Sequence, residues 1–315
     1  MAARRPSVGW SNPMRMKEPS RIIPGRPPPP DPTGIDAYAP AEIAARVERA
    51  GIGKSRLPAM SLMALAMLAG AFIAFGAMLY TLVVTGSNLG FGLTRLVGGI
   101  AFSLGLILVI VGGAELFTGN ALIVMATASR RVSITALLRN WGIVYTGNLF
   151  GALGAAVLVY LSGTLALDAG AVGETAREIA RAKLALSADQ TFFRGVLCNA
   201  LVCLAVWLCF SARDVSGKIL AIVWPISAFV ALGFEHSVAN MYLIPIGMLA
   251  GAGFDIGGFA QNLFWVTLGN IVGGAGGVAL VYWTIYLRPG ARGSAISYPT
   301  ERLSTPPIAA GDSGR

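Results

Sequence analysis

The chain has 315 residues, of which 55% are hydrophobic and only 12% charged, with a formal net charge of +9. A mean hydropathy of +0.67 excludes an ordinary soluble domain, in which about a quarter of the residues are charged. The positive excess is scattered through tails and loops, so no basic domain of the kind that binds nucleic acid is present.

Residues 1–39 contain PGRPPPPDPTG among scattered basic residues and read as a disordered, Pro-rich cytoplasmic tail. They lack the apolar core of a signal peptide, so no cleavable leader is expected before the first span. In residues 40–56, Ile43, Ala44, Val47 and Ala50 recur at helical spacing, while Glu42, Arg46, Glu48 and Arg49 occupy other faces. This predicts a short amphipathic helix lying on the cytoplasmic membrane surface or on the bundle. A transmembrane domain is expected over 57–288. It holds six apolar stretches, near 60–84, 96–127, 137–162, 191–212, 219–250 and 259–287, each long enough for the roughly 20 residues that span a bilayer. Residues 289–315 read as a flexible cytoplasmic tail.

Of the Lys and Arg residues, 19 fall in the tails and the even-numbered connections and 5 on the opposite side. The positive-inside rule therefore predicts a multi-pass plasma (inner) membrane protein with both termini in the cytoplasm. The 40 glycines imply closely packed or oligomerising helices. Cys198, Cys203 and Cys209 fall within one span without metal-ligand spacing and read as buried thiols. No cofactor or metal is expected.

Two motifs recur. GAELFTGN (113–120) and GFEHSVAN (233–240) share Gly-x-Glu-x4-Asn, and NWGIVYTGNLFG (140–151) and NLFWVTLGNIVG (262–273) share Asn-x6-Gly-Asn-x2-Gly. The two separations, from Glu to the second motif, are 25 and 27 residues. Spans two and five then correspond, as do three and six. With three spans per half the halves must run oppositely through the membrane, a 3+3 inverted repeat. The fold expected is an all-α polytopic membrane protein of six helices.

Gly113 with Glu115, and Gly233 with Glu235-His236-Ser237, interrupt the apolar pattern of spans two and five. Non-helical backbone at membrane depth survives only inside protein or along a cavity, so both spans are expected to be broken. The second half-helices should start near Thr118 and Ser237, where helix N-termini suit a small anion. His236, the only histidine, marks a pathway rather than a packed core residue. Glu115 and Glu235, with Asn120 and Asn240, are expected to support the breaks, the glutamates accepting from freed backbone N–H groups.

The segments GLILVIVGGAELFTGN, NWGIVYTGNLFGAL, GFEHSVANMYLIPIG and VTLGNIVGG resemble the signature segments of the formate/nitrite transporter family, over residues 36 to 288. The resemblance implies an aquaporin-like protomer in a homopentamer, each protomer with its own pore. It places the central histidine at His236, the loop threonine at Thr118, an asparagine at Asn199 and a vestibule lysine at Lys183. Apolar constrictions are implied at Phe102 and Phe229 on the outer side, and at Leu106, Leu116 and Val202 on the inner side. Without the family these five would be ordinary packing residues, and Lys183 a solvated loop lysine.

The partners implied are protons, the lipid bilayer and small weak-acid anions, formate or nitrite first. Hydrosulfide, acetate or lactate carried by the same fold, or an anion channel without proton coupling, are the alternatives. A bare anion is costly in an apolar constriction, whereas a weak acid can cross neutral. Lys183 would concentrate the anion, and His236 would either supply the proton or act as a fixed hydrogen-bond partner, oriented by Asn199 and Thr118. An intramembrane enzyme lacks its Ser/His pair, aspartate pair or metal motif. A water or glycerol channel lacks its Asn-Pro-Ala segments, an ammonium channel its second pore histidine, and a scaffold explains neither break.

Overall fold

The computed structural model describes residues 37–289; the readings of residues 1–36 and of the segment after 289 lie outside these. The described chain is all-helical. In order it comprises α1 (Pro40–Ser55), α2 (Ala59–Val84), α3 (Phe91–Gly112), a 3₁₀ turn (Gly119–Ile123) leading into α4 (Val124–Ala128), and α5 (Ile134–Leu161). There follow α6 (Ala171–Leu184), α7 (Ala188–Ser211), α8 (Val215–Ala231), α9 (Ser237–Gly247), α10 (Ile256–Ile271) and α11 (Val281–Tyr286), the last two joined by a wide-turn stretch, Val272–Leu280. Five of these helices are long and apolar enough to cross a membrane, and 119–128, 215–231 and 237–252 are shorter apolar helices. Phe75, Phe150, Phe193, Trp224 and Phe264 point outward, an apolar girdle that suits lipid or a neighbouring copy. The chain is a multi-pass membrane protein.

The interruptions fall where the glycines stand. Gly113 has φ 82° and Gly233 φ 73°, the left-handed region that a Cβ penalises. In each case the next N–H reaches back five residues, Ala114 to the Val109 carbonyl at 2.8 Å and Phe234 to the Phe229 carbonyl at 3.0 Å. That is a Schellman ending, which closes the first half-helix while pairing its last carbonyls. The chain then runs unwound to Thr118 and to His236 before helical turns resume.

Close helix packing builds the walls. α2 lies against α3 and α5, and α7 lies against α8 and α10. A Cβ at Gly151 would meet the Met67 carbonyl at 1.9 Å, and one at Gly273 would meet the Val196 carbonyl at 2.0 Å. Only glycine permits either approach, at the same place in the two recurring motifs. The 163–194 connection is not an irregular loop: it contains the helix α6 and the first turns of α7. Helix α6 packs on α9 much as α1 packs on the 119–123 turn.

Candidate functional site

The unwound segments leave backbone groups without helical partners, and in an apolar surround each would cost several kcal/mol. Side chains from α5 and α10 meet that need. Asn148 Oδ1 accepts the Phe117 N–H at 2.9 Å, while its Nδ2 donates to the carbonyls of Ala66 (2.7 Å) and Glu115 (3.0 Å). Asn270 repeats this, accepting from Ser237 N–H at 2.9 Å and donating to Gly195 (2.8 Å) and Glu235 (3.0 Å). The Glu115 and Glu235 N–H groups bond the carbonyls of Leu65 and Arg194. The carboxylates therefore do not take the freed N–H groups, in contrast to the expectation; the second-motif asparagines do, because their amides offer both a donor and an acceptor.

The glutamates instead close two side-chain clasps. Glu115 accepts from Lys54 Nζ at 2.7 Å and from Asn120 Nδ2 at 2.8 Å; Asn120 also donates to Asn140 Oδ1 at 3.0 Å, and Asn140 to the Lys54 carbonyl at 3.2 Å. Glu235 accepts from Lys183 Nζ at 2.9 and 3.0 Å and from Asn240 Nδ2 at 2.6 Å; Asn240 donates to Asn262 at 2.8 Å, and Asn262 to the Lys183 carbonyl at 3.1 Å. Lys54, on α1, thus stands where Lys183 stands on α6. The sequence motifs pointed to neither this lysine nor the membership of α1 in the recurring unit.

Where the two breaks face each other, Thr118 Oγ1 lies 2.9 Å from His236 Nε2. Both residues are buried. His236 Nδ1 accepts the Ala239 N–H at 3.0 Å, capping α9. A ring whose Nδ1 accepts carries its proton on Nε2, so the neutral imidazole donates to Thr118. Protonation of Nδ1 would set two donors against each other. Among the described residues no hydrogen bond joins Asn199 to the ring. Its Nδ2 donates to the carbonyls of Thr118 at 3.3 Å and Asn270 at 2.6 Å, and Cys203 Sγ lies 3.4 Å from the same Thr118 carbonyl. Asn199 therefore fixes the threonine loop rather than the imidazole. Cys198, Cys203 and Cys209 are free, buried thiols.

Two cavities approach this contact and share no lining residue. One, of about 160 Å³, is lined by Phe102, Phe229, His236, Lys183, Glu235, Arg95 and Arg194. The other, of about 370 Å³, is lined by Leu106, Leu116, Glu115, Asn120, Lys54, Arg46 and Lys218. Phe102 and Leu106 are one turn apart on α3, so the gap between the cavities is about 6 Å along that helix. Phe229 is stacked on His236 at 5.9 Å and meets Phe102 edge-on at 5.6 Å, and both phenylalanines line the smaller cavity. Leu106 and Leu116 line the larger one, and Val202 is buried in the same apolar cluster.

Known proteins share this sequence and fold. The chain is 45% identical over 251 residues to the uncharacterized transporter YrhG of Bacillus subtilis (strain 168), covering 78% of this chain and 93% of that one. It is 40% identical over 280 residues to the formate channel FocA of Escherichia coli (strain K12), covering 81% and 96%. A solved pentameric formate channel with formate bound superposes with a TM-score of 0.68 at 40% identity, over 73% of this chain and 98% of that one. Residues 41–284 match the family described as Formate/nitrite transporter; the chain belongs to the formate/nitrite transporter family.

Proposed function

We propose that this protein carries small monovalent weak-acid anions, formate first and nitrite second, across the plasma membrane as a homopentamer with one conduit per protomer. The observation that carries the reading is the His236–Thr118 contact, set between two cavities that are each lined in part by apolar side chains. The pentameric formate channel at 40% identity supports both the substrate and the assembly. The distribution of Lys and Arg supports a Lys54 cavity open to the cytoplasm, a Lys183 cavity open to the outside, and halves that run oppositely.

In this mechanism the anion enters a vestibule, meets Phe102 and Phe229 or Leu106, Leu116 and Val202, and loses hydration. An ion in so narrow an apolar passage is far costlier than a neutral acid. The anion therefore takes up a proton from vestibule water and crosses as the acid. His236 offers its Nε2–H as a fixed donor at the midpoint, with Thr118 exchanging places with the substrate. A neutral imidazole does not give up Nε2–H, so the supply of the proton from water follows from the capped geometry. Glu115, Glu235, Asn120 and Asn240 hold the breaks open, and the reading includes no catalytic step.

The test is uptake into proteoliposomes of formate and nitrite across a pH series, with chloride as control. Acid-stimulated uptake that excludes chloride is expected; uptake indifferent to pH that admits chloride would overturn the reading.

A further inference from the structure

The smaller cavity contains three cations and one carboxylate: Arg95, Lys183, Arg194 and Glu235. Lys183 Nζ binds both oxygens of Glu235, at 2.9 and 3.0 Å, and its side chain is only 14% exposed. Its charge is thus spent inside the clasp, and to an approaching ion the pair looks nearly neutral at a distance of several ångströms. The two arginines are different. Arg95 Nε and an amino nitrogen each donate at 3.0 Å to the carbonyls of Ala231 and Val230, which end α8. Arg194 donates at 3.3 Å to the Gly233 carbonyl. Carbonyls accept these bonds without cancelling a full charge, and neither guanidinium is in any of the ion pairs among the described residues. Both are half-buried, and both flank Gly233, one residue before Phe234 and three before His236.

We infer that Arg95 and Arg194, rather than Lys183, recruit the substrate anion into this cavity, with Arg194 the principal contact. Each guanidinium has five N–H donors in a planar fork that matches a carboxylate or nitrite edge. Arg95 commits two of its donating nitrogens to the end of α8 and acts also as a clamp on the turn. Arg194 commits one nitrogen, through a long bond, and keeps the opposite edge of the fork for a ligand. The pair leaves the cavity with two uncancelled positive charges in the space that Phe102 and Phe229 also line. The substrate class is a monovalent anion with two coplanar oxygens. This inference rests on the transport reading above and specifies which side chains set its apparent affinity from one side.

The experiment measures half-saturating formate concentration in right-side-out and inside-out membrane vesicles. The variants are Arg194→Gln, which keeps a donor for Gly233 and loses the charge, and Arg194→Lys, which keeps the charge. A unit charge about 7 Å away in water changes an anion's local concentration about threefold. Arg194→Gln is expected to raise the half-saturating concentration about that much from one vesicle face only, with the maximal rate retained, and Arg194→Lys, which keeps the charge and loses the planar fork, to fall between the two. Raising ionic strength from about 10 mM to about 300 mM should raise the wild-type value and shrink the gap. A purely structural role would lower the maximal rate from both faces and be blind to salt. If Arg194→Gln does not reach the membrane, the wild-type salt series decides, and a salt-independent value overturns the inference. Saturable wild-type uptake with an unmoved value in Arg194→Gln overturns the inference alone; a wild type without saturable formate uptake overturns the transport reading with it.

Discussion

His236 and Thr118 meet at 2.9 Å although they belong to different halves of the chain, and the opposite edge of the imidazole is already engaged as the cap of α9. The ring therefore has one role to offer a ligand, donation from Nε2. Its other nitrogen is occupied by its own backbone.

This arrangement makes a prediction about pH. Asparagine is a good N-cap and cannot become cationic, so His236→Asn should preserve α9 and retain formate uptake that rises as pH falls. The sign follows from the substrate: the neutral acid becomes more abundant in proportion to proton concentration. A pH-uptake profile measured on both proteins checks this, and loss of acid stimulation in His236→Asn would assign the proton to the imidazole.

Thr118→Val keeps the shape of the threonine and removes the acceptor for Nε2–H. An orphaned buried donor costs about 1–3 kcal/mol, and uptake should fall on the order of tenfold when the threonine loop no longer holds the ring. Thr118→Ser should stay within about twofold. Initial rates normalised to protein in the membrane distinguish the two.

The asparagines that pair the broken backbone should matter to stability more than any residue lining the path. Asn148→Leu removes three buried hydrogen bonds and leaves the Phe117 N–H and the Glu115 carbonyl of the unwound segment without these partners. The expected loss is several kcal/mol, on the scale of unsatisfied groups in an apolar medium. Asn270→Leu should behave alike. Thermal unfolding of the detergent-solubilised protein, followed by size-exclusion chromatography, reports it.

The two clasps should differ in strength. The Lys183 and Glu235 side chains are 14% and 5% exposed, whereas Lys54 and Glu115 are 33% and 9% exposed. Breaking a well-buried pair costs about 3–5 kcal/mol and a more solvated one nearer 1 kcal/mol. Lys183→Met is thus expected to lower the melting temperature more than Lys54→Met, and the opposite order would show that solvent exposure does not govern these pairs.

Much of this could be read from the chain. The breaks were legible because glycine and glutamate are rare together inside an apolar run, and Gly113 and Gly233 do adopt the left-handed turn. The correspondence of the two halves was legible wherever a side chain's chemistry is indispensable, as at Asn140 and Asn262 or Asn148 and Asn270. It was not legible in α1 and α6. Both helices bury small or short side chains at matching positions, Ile43, Val47 and Gly51 against Val172, Ala176 and Ala180. Any compact apolar residue satisfies that packing, so identity is lost and only the lysine remains. Arg95 and Arg194 were hidden for another reason. They act on carbonyls of a turn more than 35 residues away, a relation that leaves no periodicity or spacing in the sequence.

Each broken segment draws its clasp and its backbone-pairing asparagine from its own half: Lys54, Asn140 and Asn148 serve 113–120, and Lys183, Asn262 and Asn270 serve 233–240. Bonds that cross between halves join them afterwards, at the centre through Thr118, Asn199 and His236 and elsewhere through pairs such as Arg95 with the end of α8 and Tyr145 with Thr267. A half-length chain could therefore insert with its interrupted helix already internally paired, and two such chains could dock afterwards. That makes a gene of half this size, acting as a pair of identical subunits, a physically viable ancestor, and co-translational insertion of the first half before the second is synthesised a viable order of assembly.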